Sequence, residues 1–398
     1  MAKYIEDEYD EERPRRKSGS GSGSKNGSGR RPAGRSGSGR GGSGKKSSRK
    51  QQAKKQRRRI ILFVAELVVL VVAVFVLYGV MSGTKSGKMV LDNDEIIIND
   101  KVVQAQETTM KGYRNIALFG VDSTSGALTK NTRSDTIMIA SINQDTGECK
   151  LVSVYRDTYL NLSNDSYNKC NAAYAKGGPE MAISMLNMNL DMNITDFVTV
   201  GFAGLTDTID ALGGVYIDVD DSEISHLNNY KLCIAEDLKR TKTPVSSTSN
   251  QHLDVLQATG YCRIRYTAGD DFKRAERQRE VLAAVADQAK KASLPKLTET
   301  ANSVFNETYT SLDLTEIIEM LGNVGSYYIS DTAGFPQESN RATGTIGSKG
   351  SCVIPMNLED NVKWLHQFLF NDYEYEPSAT VKECSEKIYS DTNGYLKK

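Results

Sequence analysis

The sequence predicts an α/β protein, a mixed-sheet α-β-α sandwich lying outside a single N-terminal transmembrane helix. Three observations carry this. From residue 115 onward, apolar runs of strand length alternate with amphipathic stretches of helical period. Two of those runs are joined by a hairpin-length turn, so the sheet is mixed rather than purely parallel. Upstream, one largely apolar stretch, with Glu66 its one charged residue, is long enough to cross a bilayer.

Residues 1–59 hold no plausible core. Runs such as KSGSGSGSKNGSGRRPAGRSGSGRGGSGKKSS cannot bury enough apolar surface to offset the entropy of ordering, so this segment reads as a disordered, basic cytoplasmic tail. Of the chain's 50 Lys+Arg and 50 Asp+Glu, 19 and 6 fall in it, leaving 31 and 44 beyond. The formal net charge of zero therefore hides a cationic tail and an acidic remainder. Residues 60–81, IILFVAELVVLVVAVFVLYGVM, are the predicted span: at about 1.5 Å per residue they match a hydrocarbon core of about 30 Å. KKQRRR precedes the span, and only Lys85 and Lys88 follow closely. The positive-inside rule thus predicts a single-pass cell-membrane protein with its N-terminus in the cytosol and residues 82–398 outside. A cleaved signal peptide would need a shorter apolar core and a small-residue cleavage site, which YGVMSGTKSGK does not supply. This topology makes the lipid bilayer a partner and excludes nucleic acid as a partner of the exported part.

Residues 82–113 read as an extracellular stem, 114–372 as one catalytic domain and 373–398 as a C-terminal extension. Within the domain, NIALFGV (115–121) and SDTIMIASI (134–142) read as strands, and NQDTGE turns the chain into CKLVSVYRD (149–157). NAAYAKGGPEMAISMLNMNL (171–190) predicts a helix restarting after Gly-Gly-Pro. Its Met181, Met185 and Met188 are read as core rather than as a lipid-lining face. DFVTVGF is a strand, AGLTDTIDALGG a helix, VYIDVD a strand, and 222–250 an irregular polar stretch. HLDVLQATG reads as helical, YCRIRY as a strand, and DFKRAERQREVLAAVADQAKKA as a long helix capped by Asp271. Helices near 296–308 and 313–324, SCVIP, and a helix near 358–370 complete the domain. Six cysteines (149, 170, 233, 262, 352 and 384) are open to disulfides or to buried thiols, and none has the C-x-x-C spacing of a zinc site.

Polar residues at strand ends are where ligands gather in such a sheet. Five loci stand there: Asp122, TRSDT (132–136), YRDT (155–158), RIR (263–265) and DFKRAERQ (271–278). Each alone is an ordinary ion-paired surface. Together they offer Asp122, Asp135, Asp157 and Asp271 with Arg133, Arg156, Arg263, Arg265, Arg274 and Arg277. Guanidinium forks match phosphate oxygens, and paired carboxylates hold a hard cation, so the set suits a bound pyrophosphate with Mg²⁺. Arg274 and Gln278, four apart, share one face of their helix, whereas Glu276, Arg279 and Glu280 read as its solvated face. Beyond residue 81 no G-x-S-x-G, Walker A or G-x-G-x-x-G is present.

In this order, LFGVDS, TRSDTIMIASIN, LVSVYRDTYL, NKCNAAYAKGGPE, DALGGVYIDV, YCRIRYTAGDDFKRAERQRE and GFPQES resemble the LytR-CpsA-Psr family of bacterial envelope proteins, over about residues 115–370. The resemblance implies a phosphotransferase of cell-wall assembly. Members move a glycopolymer, such as wall teichoic acid or capsular polysaccharide, from a polyprenyl-pyrophosphate carrier to the C6 hydroxyl of N-acetylmuramic acid in peptidoglycan. Carried over position by position, it implies Asp122 and Asp135 as ligands of Mg²⁺ or Mn²⁺. Arg133, Arg156, Arg263, Arg265, Arg274 and Gln278 would surround the pyrophosphate. Arg156, Arg263, Arg265 and Asp157 are assigned to catalysis, and Asp157 and Asp271 to supporting or proton-handling roles. Members commonly read G-x-D-x-R after the first strand, but here Thr124 stands where the arginine would. Lys130, Arg114 or Lys273 is the candidate replacement charge. Two other functions fit the same clamp: a polyprenyl-pyrophosphate hydrolase using water as acceptor, and a non-catalytic regulator that binds lipid phosphate.

Overall fold

The computed structural model describes residues from Met89 to Tyr395, with breaks at 90, 92–94, 122–127, 130, 239–242, 266, 268, 293–307 and 313–327. The predicted tail, the span at 60–81, most of the stem, Asp122, Thr124 and the helices expected near 296–308 and 313–324 lie outside the described residues.

A short helix, α1 (Asp100–Ala105), leads into strands β1 (Tyr113–Val121), β2 (Ser134–Asn143) and β3 (Glu148–Val154). The hairpin β4 (Tyr159–Asn161) and β5 (Tyr167–Lys169) precedes helix α2 (Asn171–Leu190) and strand β6 (Ile194–Gly201). Then come α3 (Phe202–Ala211), β7 (Val215–Ile217), α4 (Asp221–Leu238), β8 (Gln251–Leu253), α5 (Val255–Tyr261) and α6 (Asp270–Ala289). Strands β9 (Thr308–Thr310), β10 (Tyr328–Phe335), β11 (Arg341–Thr345) and β12 (Ser351–Pro355) are followed by α7 (Leu358–Phe370) and α8 (Ala379–Thr392).

The central sheet has the order β10-β3-β2-β1-β6-β9. β1, β2 and β3 are mutually antiparallel, as the hairpin turn predicts, whereas β6 joins β1, and β10 joins β3, in parallel. The alternation of each strand sorts its side chains by face. Phe119, Ile137, Ile139, Val152, Val154 and Phe197 point to one face and merge with Leu186, Leu190, Leu365, Leu369, Val381 and Ile388 into the main core. Helices α2, α7 and α8 therefore cover that face, and the C-terminal stretch beyond residue 373 is part of the core. The neighbours in alternation, Thr136 and Ser153, point the other way, where α6 lies across β3 and β10. Helices thus stand on both faces of a mixed sheet.

Helix α2 restarts where Gly-Gly-Pro predicts. Gly178 sits at φ +68, and a Cβ there would lie 2.7 Å from the Thr129 carbonyl, so only glycine fits before Pro179 resumes the helix. Met185 is fully buried, with Met181 and Met188 packed on the same core, as expected of core methionines.

Four expectations change. YCRIRY is not a strand: the Asp254–Gln257 capping box starts α5, the helix runs through Tyr261, and residues 262–265 are turn and coil. The alternation of Arg263 and Arg265 about Ile264 mimics a strand but pairs with nothing. Residues 221–238, expected to be irregular, form α4. The cap of α6 is Gly269 at φ +96, with Asp270 and Asp271 in the first turn. Finally, β9 and β10 were not foreseen: they are edge strands, and much of the polar β10 sequence YISDTAGF is exposed, so no alternation marks it. The five described cysteines (149, 170, 262, 352 and 384) are free thiols.

Candidate functional site

The β3 strand ends at Val154, and the chain turns through Tyr155, Arg156 and Asp157 beside the start of β2. That turn is pinned on every side. Tyr155 N–H donates to Phe335 O at 3.0 Å, Asn171 N–H to Arg156 O at 3.1 Å, and Val353 N–H to Asp157 O at 2.9 Å. The first turns of α6 lean over it. Between them lies a crevice, open to solvent, lined among others by Asp135, Arg156, Asp157, Asp271, Arg274 and Gln278.

Arg156 stands at the centre. Its Nη1 donates to Asp135 Oδ1 at 2.8 Å, its Nη2 lies 3.2 Å from Asp271 Oδ2, and its Nε lies 3.5 Å from Asp157 Oδ2, too poorly aligned for a hydrogen bond. Burial opposes its charge, but Asp135, Asp271 and Asp157 together outweigh burial and raise its pKa above the usual arginine value. Asp271 is shared further, with Arg274 Nη1 at 3.2 Å and Arg265 Nε at 3.6 Å. Arg274 is buried, and burial plus the neighbouring Arg156 push its pKa down despite Asp271. The Nε–H groups of both Arg156 and Arg274 are buried without a hydrogen-bond acceptor. Two guanidiniums that line one solvent-open crevice make a site for an anion, because their planar forks match phosphate oxygens. Asp157 turns its other oxygen to Lys169 at 2.9 Å, and Gln278 Oε1 accepts from Thr136 Oγ1 at 3.0 Å.

The remaining predicted residues fall around this centre. Arg265 is exposed at the crevice edge, tied to Asp271, while Arg133 is exposed and Arg263 half-buried, and neither of these two lines the crevice. Asp122 and Lys130 lie outside the described residues. Val121, the residue before Asp122, is paired with Ser134, the residue before Asp135, so the chain leaves β1 beside the entry to β2. Neither described candidate for the missing arginine reaches the crevice. Arg114 pairs with Asp196 at 2.7 Å near the opposite end of β1, and Lys273 pairs with Glu276 at 3.1 Å on α6. Nor do Glu276, Arg279 and Glu280 form a solvated face: Arg279 is buried, and Glu280 accepts a hydrogen bond from Tyr261 at 2.6 Å.

Sequence reasoning missed one wall of the crevice. Tyr155 packs edge-on against Phe272 at 4.6 Å, and Arg341 lies over the Phe272 ring at 3.8 Å while donating to the Tyr155 hydroxyl at 3.0 Å. Gly334 makes room for that hydroxyl, since a Cβ there would sit 2.0 Å from it. GFPQES flags the neighbourhood, but nothing in the local pattern singles out Arg341.

The metal expectation meets a partial donor set. Among the described residues no group of three His, Cys, Asp or Glu is arranged around a common point. Asp135 at the crevice supplies carboxylate oxygen, the hard donor that Mg²⁺ takes alongside phosphate oxygens and waters.

Comparison with known proteins places the chain by family and by fold. The LytR_cpsA_psr family profile matches residues 74–346. The chain is 30% identical over 217 residues to the polyisoprenyl-teichoic acid–peptidoglycan teichoic acid transferase TagU of Oceanobacillus iheyensis, covering 52% of this chain and 62% of that one. It is also 30% identical to TagV of Bacillus subtilis, a transferase of the same description, over 46% of each chain. The matched region thus spans between about half and two thirds of these relatives' length. Among solved structures, protein gbs0355 of Streptococcus agalactiae superposes with a TM-score of 0.56 at 24% identity, over 72% of this chain and 97% of that one. That likeness confirms the mixed α/β fold.

Proposed function

The chain belongs to the LytR_cpsA_psr family, and we propose that it transfers a cell-wall glycopolymer from a polyprenyl-pyrophosphate carrier to peptidoglycan. The observation that carries this reading is the crevice at the end of β3, lined by the guanidiniums of Arg156 and Arg274 beside three carboxylates. Relatives named as teichoic acid–peptidoglycan transferases support the class of reaction.

The donor's pyrophosphate occupies the crevice. Its oxygens displace carboxylate contacts from Arg156 and Arg274, exchanging ion pairs within the protein for ion pairs with the ligand. The acceptor hydroxyl, the C6 oxygen of N-acetylmuramic acid, attacks the phosphorus that bears the glycan. The bond from that phosphorus to the bridging oxygen breaks, and polyprenyl phosphate leaves with the electron pair. Guanidiniums already in place stabilise the charge that gathers on the leaving phosphate, with no reorganisation at the moment of reaction.

The hydroxyl proton needs a carboxylate. Asp271 is shared among three guanidiniums, those of Arg156, Arg265 and Arg274, which occupy its oxygens. Asp157 faces Lys169 and only the edge of Arg156, so we assign proton acceptance to Asp157. Asp135, with Asp122 from the sequence resemblance, would hold Mg²⁺ or Mn²⁺, which supplies charge neutralisation to the phosphates when bound. The test is Asp157→Asn in the full chain. Transfer to peptidoglycan should fall by about 10²–10⁴-fold with donor binding retained. An unchanged transfer rate would remove Asp157 from the mechanism.

A further inference from the structure

We propose, resting on that reading, that Arg277 is a positioning residue which holds the Arg263–Arg265 strap against the crevice helix. Arg277 heads the largest fully buried side chains among the described residues, and its partner Glu223 is 1% exposed. Burying a guanidinium is costly unless it is paired and hydrogen-bonded, and here each of the three nitrogens makes a hydrogen bond. Nε donates to Glu223 Oε1 at 2.7 Å, Nη1 to Ile264 O at 3.0 Å, and Nη2 to Thr267 Oγ1 at 2.5 Å. The partners come from α4, from the peptide of Ile264 and from the coil just before α6.

The Ile264 contact is the informative one. That carbonyl lies between Arg263 and Arg265, on a residue whose own side chain is buried, so the fork fixes the peptide from which both arginines project. Arg265 in turn reaches Asp271, a crevice carboxylate. On α6 itself Arg277 sits between Arg274 and Gln278, both of which line the crevice, while its own side chain turns away to the strap. The Tyr261–Glu280 hydrogen bond at 2.6 Å pins the strap's other end to the same helix. One helix therefore carries crevice groups on one side and the tether for two more cations on the other. A lysine supplies one point of charge and cannot fill this fork.

The test measures binding of inorganic pyrophosphate with Mg²⁺ to the full chain by calorimetry, alongside the melting temperature. Arg277→Lys keeps the charge but loses the fork, and pyrophosphate should bind about tenfold more weakly. Thr267→Val removes one acceptor and leaves the Glu223 pair intact. It should weaken binding about fivefold, the worth of one hydrogen bond, with little change in melting. This second variant decides the matter if Arg277→Lys does not fold. A merely structural residue would lower the melting temperature and leave the folded protein's affinity alone, so wild-type affinity in both folded variants overturns the proposal. Wild-type protein that binds no pyrophosphate overturns the reading of the crevice itself, and the tether with it.

Discussion

Arg156 Nη1 donates to Asp135 Oδ1 at 2.8 Å, joining the turn after β3 to the start of β2 across the mouth of the crevice. Arg156 and Arg274 are paired with the crevice's own carboxylates, Asp135 and Asp271. Asp135 thus has two roles in the proposed reaction, as partner of Arg156 and as metal ligand. A cation that draws Asp135 away frees Arg156 for phosphate, which links metal and donor binding.

That linkage is measurable. Pyrophosphate affinity of the full chain should rise with added Mg²⁺, and chelation should abolish transfer. Asp135→Ala should flatten the Mg²⁺ dependence of pyrophosphate binding. A wild-type affinity independent of Mg²⁺ would separate the two roles.

Gly334→Ala tests the wall that the sequence did not reveal. The new methyl would sit 2.0 Å from the Tyr155 hydroxyl and 2.6 Å from the ring carbon bearing it. Overpacking of this kind costs about 1–3 kcal/mol, read as a lowered melting temperature. Tyr155→Phe removes only the hydroxyl and should not relieve the ring contact, whereas Tyr155→Leu should restore most of the stability lost. A double-mutant cycle checks both.

His366 predicts a pH dependence of stability. It is fully buried, stacked on Tyr375 with ring centroids 3.5 Å apart, and its Nε2 contacts Leu190 O at 3.1 Å while Nδ1 has no partner. Burial lowers its pKa from 6.5 to about 4. Between those values the unfolded chain binds the proton and the folded chain does not, so this contribution to stability is present above pH 6.5 and falls as the pH drops toward 4. The slope from this group approaches about 1.4 kcal/mol per pH unit within that window. His366→Gln should flatten the melting-temperature profile there, and an unchanged profile would contradict the assignment.

The thiols should be inert in the native state. Cys170, Cys262, Cys352 and Cys384 are buried, and burial raises the pKa of each, that of Cys262 to about 12. Alkylation at pH 8 should modify these four only after denaturation, since the thiolate is the reactive form. Rapid native labelling of any one of them would contradict its placement.

The strands β1, β2, β3 and β6 and the interrupted helix α2 were legible because apolar alternation and Gly-Gly-Pro encode them locally. The crevice residues Asp135, Arg156, Asp157, Arg274 and Gln278 were legible because charges stand next to apolar strand ends. What escaped depends on tertiary partners. In KRAERQRE Arg279 looks solvated and Arg277 looks like one more cation of the anion site, yet both are buried, and the Arg277 partner Glu223 lies 54 residues away. RIR mimics a strand because two arginines flank an isoleucine, but its geometry is set by the end of α5 and by Arg277. Arg341 reaches the site through the β11 register and the Phe272 face, which no local spacing records.

The most direct test of the central claim is a transfer assay on the full chain with a polyprenyl-pyrophosphate-linked glycopolymer, Mg²⁺ and peptidoglycan, run beside Arg156→Ala. The account predicts glycopolymer joined to peptidoglycan by a phosphodiester, with polyprenyl monophosphate released, and a loss of about 10²–10³-fold in the variant. Free phosphate-ended polymer with none attached to peptidoglycan, or equal transfer by both proteins, would contradict it.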